Sequence, residues 1–191
     1  MGEVLVWGDK NDPSVFDYFC GKQMMQDLRG VFRGPYGRDS KAQVLQTIMI
    51  LLQNISNERS LCYLLSNDQV NALVEEPFDD RDEELVAWHV SLLKALALRV
   101  STRTVSFFLR EDPPPGKLPL YAAAARFLRH PDALVRTSVR TIALHILRIR
   151  DPAVQRYLAQ GPEADLPARA VLLLRDMVLA ADSALRGQRT L

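Results

Sequence analysis

Little in this 191-residue sequence points to covalent chemistry. There are two cysteines, Cys20 and Cys62, too few for a disulfide framework and without the spacing of a zinc site. A reducing cytosolic setting with two small, buried or half-buried hydrophobes is the expectation. The three histidines, His89, His130 and His145, do not cluster. His89 lies beside the apolar stripe of its helix, where a packed neutral imidazole with one bonded nitrogen is expected. His130 reads as a loop residue, and His145 as part of a partly exposed face. There is no Gly-rich phosphate loop, no G-x-S-x-G and no H-E-x-x-H. No catalytic, cofactor-binding or metal-binding residue is therefore expected, and the chain is not expected to be an enzyme.

Excess charge of one sign is missing too. Lysine plus arginine (24) nearly cancels aspartate plus glutamate (23), and aromatics make up 7% without alternating with basic residues. The electrostatic footprint of a nucleic-acid binder is absent. The apolar runs, such as Ile48 to Leu52, fall far short of the roughly 20 residues that span a bilayer. No signal-like segment opens the chain, and Met1-Gly2 lacks the later Ser or Thr of a myristoylation start, since Val6 stands there.

What the sequence has is helical periodicity. Val44, Leu45, Ile48, Leu51, Leu52 and Ile55 recur at three- and four-residue steps. The same holds for Leu85, Val86, Leu92, Leu93, Leu96 and Val100, and for Val135, Val139, Ile142, Ile146 and Ile149. Period-2 alternation and hairpin turns are missing.

The helices also repeat. Val15…Tyr18-Phe19, Leu61…Leu64-Leu65, Val105…Phe108-Leu109 and Val154…Tyr157-Leu158 share one pattern, and their starts lie 46, 44 and 49 residues apart. That step suits HEAT and armadillo units. Asp12-Pro13 and Asp151-Pro152 precede two of these anchors as N-cap and first helical residue, and Thr102 holds the cap place before Val105. The second unit departs, with Asn57-Glu58. Each unit reads as a long helix, a short anchor helix and a third element, the last over 23–32, 68–74 and 120–128.

The predicted fold is all-α: one armadillo- or HEAT-like right-handed solenoid of about four repeats over residues 1–191. A solvated insertion is expected at 112–117, a capping helix over 168–185 with Val171, Leu172, Val178, Leu179 and Leu185 on one side, and a frayed tail at 186–191. Val4 to Trp7 reads as the last turn of a helix whose beginning is absent. The chain is thus expected to be a fragment of a longer solenoid, with this apolar end available for homodimer contact.

The run from Trp7 to Phe19, with Trp7, Gly8, Asp9, Asn11, Asp12 and Phe16, resembles the opening of the FPL domain family. Further matches are Leu45-Gln46-Thr47, Asn54-Ile55-Ser56, Tyr63 to Asn67, Asp82-Glu83-Glu84, Leu92-Leu93-Lys94, Phe107-Phe108 and Arg136 with Val139 to Ile142. The family's Phe-Pro-Leu triplet stands here as Leu118-Pro119-Leu120, followed by Tyr121. The resemblance covers about residues 4 to 149, and these signature residues are expected to be structural. It implies a non-catalytic adaptor in endomembrane trafficking and autophagy, cytoplasmic and peripheral to Golgi, endosome or lysosome. Partners would come from the trafficking machinery, among them small GTPases and retromer or tethering factors. A docking role in a ubiquitin-ligase assembly is the alternative, although no RING-like spacing is present.

Two charge clusters complete the candidates. The acidic run from Glu75 to Glu84 reads as an inter-repeat loop whose acids favour the next helix N-terminus, with docking of a basic partner as the alternative. Arg126, Arg129, Arg136, Arg140, Arg148 and Arg150 are solvated or locally paired on the favoured reading, and a ladder for acidic peptides, phosphates or anionic headgroups is the alternative.

Overall fold

The computed structural model describes residues 1–66, 68–110 and 116–188, and side chains through 183 and at 186. Asn67, most of the expected insertion at 112–115 and the end of the tail at 189–191 lie outside the described residues. The side chain of Leu185 does too. Among the described residues the chain is all-helical, with eleven α-helices and no strand. They are α1 (Gly2–Asn11), α2 (Pro13–Gly21), α3 (Met24–Arg33), α4 (Arg38–Asn54), α5 (Glu58–Leu65), α6 (Gln69–Glu75), α7 (Glu83–Ala97), α8 (Pro119–Ala125), α9 (Ala133–Leu147), α10 (Pro152–Gln160) and α11 (Leu166–Gln188).

Local chemistry sets these boundaries. The Asp12 carboxylate accepts the Ser14 amide at 3.0 Å, and Asp151 accepts Ala153 and Val154 at 2.9 and 3.1 Å. Proline follows each cap, where a missing N–H costs nothing. Asn57 performs the same task for α5 by accepting the Arg59 amide at 2.9 Å, so the second unit departs in residue type but not in geometry. Asp82 and Asp132 cap α7 and α9.

The long helices α1, α4, α7 and α9 pack in succession, each on the next. Behind them α3 packs on α6 and α6 on α8. One apolar core runs through both rows, from Leu5 to Leu166. Leu51, Leu92, Leu93, Leu96, Val139 and Ile146 have no measurable exposure.

Most polar contacts between elements join residues 42 to 48 positions apart. Ser56 and Asn57 amides donate to Asp9, Tyr63 to the Cys20 carbonyl, Arg99 to the Leu52 and Ile55 carbonyls, and His145 meets the Val100 carbonyl. Arg29 and Arg33 face Glu76, Arg38 faces Glu84, Arg103 faces Glu58, Arg110 faces Asp68, and Arg126 faces Asp80. The exceptions, such as Asn71 to the Phe107 carbonyl, step by 35 to 37.

Two segments differ from the sequence reading. The third anchor is no α-helix: only a 3-10 turn, Val105–Phe107, forms there. Thr102 makes no cap. Instead the Thr104 hydroxyl donates to the Arg99 carbonyl at 2.6 Å and accepts the Ser101 amide, which ties the chain into a tight turn. Arg110 and Lys117 then exchange both backbone bonds. At the N-terminus, α1 is ten residues long rather than a final turn, and starts at Gly2.

Candidate functional site

The six candidate arginines differ in their partners. Arg126 donates to Asp80 at 2.6 Å and lies over the Phe127 ring. Arg136 donates to the carbonyls of His130 and Pro131, at 2.7 and 2.5 Å, so it closes the turn before its own helix. Arg140 meets the Met177 sulfur at 3.5 Å. Arg129, Arg148 and Arg150 are exposed and make no ion pair or hydrogen bond among the described residues. Arg129 precedes α9 and the other two follow it. At 1.5 Å per residue, roughly 20 Å of helix separates them. The spacing of Arg136 and Arg140 gave them a shared face but not a shared ligand.

The acidic run is spent mainly on the chain itself. Glu75 faces Arg110, Glu76 faces Arg29 and Arg33, Asp80 faces Arg126, and Glu84 faces Arg38. Asp82 accepts the Leu85 amide at the start of α7.

The signature residues divide into three kinds. Gly8 lets α1 and α2 approach, because a Cβ there would lie 2.6 Å from the Val15 Cβ. Asp9 is buried and accepts the Ser56 and Asn57 amides at 3.0 and 3.2 Å, so α1 caps α5 from outside. Burial pulls its carboxyl upward. The Ser60 hydroxyl, those two amides and Lys10 outweigh this and hold it below the usual carboxylate value. Asn11 donates to the Trp7 carbonyl, Asp12 caps α2, and Phe16 packs on Phe19 and Tyr63. Leu118, Pro119, Leu120 and Tyr121 are all buried at the start of α8. Trp7 is the exception to a structural role: its side chain is 56% exposed beside Val4 and Met1, the apolar end expected from the sequence.

His89 is fully buried, and neither ring nitrogen has a bonding partner, where one bond was expected. The imidazole sits between Phe78 and Phe127. Burial, then the nearby Arg126 charge, push its pKa down to about 4 despite the opposing pull of Asp80. Cys20 is half-buried, and its thiol is pushed up to about 11 by burial and by Asp17, the wrong direction for a nucleophile. Among the described residues no His, Cys, Asp and Glu side chains converge as a metal site, and no helix is long and apolar enough to cross a membrane.

One feature escaped the sequence reading. A groove of about 510 Å³ crosses α4, α7 and α9, with Gln53 at one side, Ser138 at the other, and Ser91, Lys94, Ala95 and Leu98 between. No acidic residue lines it. In the sequence Lys94 stood out only as part of the Leu92-Leu93-Lys94 match and as the basic residue of the last turn of α7.

The FPL family model, described as an uncharacterised conserved protein, matches residues 1–147. The chain is 36% identical over 188 residues to the Drosophila melanogaster protein CLEC16A homolog, covering 97% of this chain and 17% of that protein. It is 44% identical over 147 residues to Homo sapiens protein CLEC16A, covering 77% and 14%. With Arabidopsis thaliana protein TRANSPARENT TESTA 9 it shares 32% identity over 166 residues, covering 86% and 20%. The aligned segments thus span a fifth or less of these relatives. No solved structure matches at a significant level. The family match, over more than three-quarters of the sequence, and the buried Gly8, Asp9 and Leu118 to Tyr121 place the chain in the FPL family.

Proposed function

We propose that the chain is an armadillo-type right-handed solenoid that serves as a non-catalytic adaptor in endomembrane trafficking. The observation that carries the architecture is the nearly constant step of 42 to 48 residues between polar partners. In a stacked array each unit contacts only its neighbours, so contacts fall one repeat apart. Such arrays present long surfaces suited to partner proteins. The FPL resemblance supplies the trafficking context: cytoplasmic, peripheral to Golgi, endosome or lysosome, with partners from the small-GTPase, retromer or tethering machinery. Proximity labelling with the full chain in cells tests this. Enrichment of trafficking components over a matched control is expected; none above background would overturn it. An autoubiquitination assay on the purified chain should be blank.

A second reading, peripheral binding to anionic lipid, is favoured by one observation. Between Leu118 and Gln160 there are seven arginines, two aspartates and no glutamate, and Arg129, Arg148 and Arg150 are unpaired. Liposome flotation with phosphatidylserine vesicles tests it. Charge reversal at Arg148 and Arg150 should abolish any retention, and retention unchanged by it would remove this reading.

A further inference from the structure

We propose that the groove crossing α4, α7 and α9 docks an extended segment of a partner protein that carries one acidic side chain between apolar ones. This rests on the adaptor reading and names the chemistry of the partner.

The central observation is Lys94. It is half-buried on the middle helix and, among the described residues, makes no ion pair or hydrogen bond, whereas six arginines of the first four-fifths of the chain face acids elsewhere. Its aliphatic stem packs on the helix while the ammonium stays open to a ligand, and a partner's carboxylate placed against it would gain a charge-assisted hydrogen bond without displacing an acid of this chain. Nothing within the groove can do so, because no acid lines it. Arg99 adds to the positive field. Two of its five N–H groups are committed to the Leu52 and Ile55 carbonyls, at 2.6 and 3.2 Å, and the others remain for a ligand.

Apart from Arg99, the lining around Lys94 is uncharged. Met49 and Leu98 lie on the α4 and α7 sides, the latter 58% exposed, and Ala95 keeps the floor low. These surfaces accept aliphatic side chains on either side of the acid. Gln53 and Ser138 stand at the two ends with amide and hydroxyl groups able to bond a peptide backbone. Packed helices lie about 8–10 Å apart, so a segment crossing three of them covers roughly 16–20 Å, or five to six extended residues. The groove volume falls within the roughly 300–1,000 Å³ usual for ligand sites.

A bare phosphate would use the cation and waste the apolar flanks. A membrane would need a broad convex face, not a cleft crossing three helices. One acid set among aliphatic residues uses every part.

Peptide display on the full chain tests this, with two variants at half-buried or exposed positions of the groove: Lys94→Glu, which reverses the charge, and Leu98→Asp, which removes the exposed apolar flank and adds a competing acid. Circular dichroism and thermal melts first establish that both fold. Selection on the wild type should enrich peptides with Asp or Glu between aliphatic residues. Fluorescence anisotropy with the best labelled peptide should show at least tenfold weaker binding to each variant, and replacing its acid by Asn or Gln should weaken it similarly. Selection on Lys94→Glu should shift towards peptides with Lys or Arg at that place. No enriched pattern, binding indifferent to both variants, or Lys94-dependent capture of phosphatidylserine vesicles in place of peptide would overturn the inference. Proximity labelling with Lys94→Glu separates it from the adaptor reading. Trafficking partners retained equally by wild type and variant would remove the groove and leave the adaptor; groove-specific peptides without trafficking partners would do the opposite.

Discussion

Helices α7 and α11 draw on similar residues and have opposite surroundings. α7 is 15 residues long and buries Leu85, Val86, His89, Val90, Leu92, Leu93, Ala95, Leu96 and Ala97. α11 is 23 residues long and, among its described side chains, buries only Leu166 outright, with Ala170 and Leu173 half-covered. Val171, Leu174, Val178 and Leu179 each stay more than half exposed. The difference is in neighbours. α7 lies between α4 and α9, with α8 behind it, and the stripes of all three seal its own. α11 touches the body along one edge, and pairs such as Arg169 with Asp165 and Arg186 with Asp182 support it locally. In this chain apolar content decides which helices can be buried; the number of packed neighbours decides which are.

That contrast can be broken by matched truncations. Leu93→Ala should destabilise the chain by about 2–5 kcal/mol through lost transfer energy plus a cavity, whereas Leu174→Ala should stay within about half a kcal/mol. Urea denaturation measures both, and equal costs would dissolve the distinction.

The next largest effect is pH-dependent and belongs to α7 alone. His89 titrates near 4 in the fold and near 6.5 when unfolded. Between these values the unfolded chain binds the extra proton, so stability falls as pH drops from about 6.5 towards 4 and levels off below. The contribution is about 3 kcal/mol at most. Comparing the pH dependence of stability for wild type and His89→Leu isolates it, because the carboxylates are common to both. The variant should lose less stability on acidification.

Smaller effects test the single-step contacts. Asp9→Ala strands the Ser56 and Asn57 amides and should cost about 1–2 kcal/mol. Gly8→Ala should cost about 1–3 kcal/mol by forcing a methyl group into Val15, and Val15→Ala in the same chain should recover part of that loss. Additive melts for the latter pair would show that the close approach of α1 and α2 is not the cause.

Much of the fold was legible. Anchors at Val15, Leu61 and Val154, the caps at Asp12 and Asp151, and the third elements near α3, α6 and α8 follow from periodicity and N-cap chemistry. The third anchor failed because the Thr104 turn and the Arg110–Lys117 bridge outcompete a helix, and neither partner choice is visible in local spacing. Charge was less legible than pattern. Neighbouring arginines suggested a ladder, but the partner of Arg126 is Asp80, 46 residues back. Subtracting that step from each arginine would have found Asp80 and the Asp68 partner of Arg110. Lys94 could not be read this way, since what marks it is the lack of any acid in three dimensions.

Native-state hydrogen exchange across the full chain tests most directly whether coverage by neighbouring units stabilises each helix. Amides of α7 should exchange only through near-global opening and those of α11 through far cheaper local opening, with α4 and α9 close to α7. Equal protection of α7 and α11, or a more protected α11, would contradict that claim.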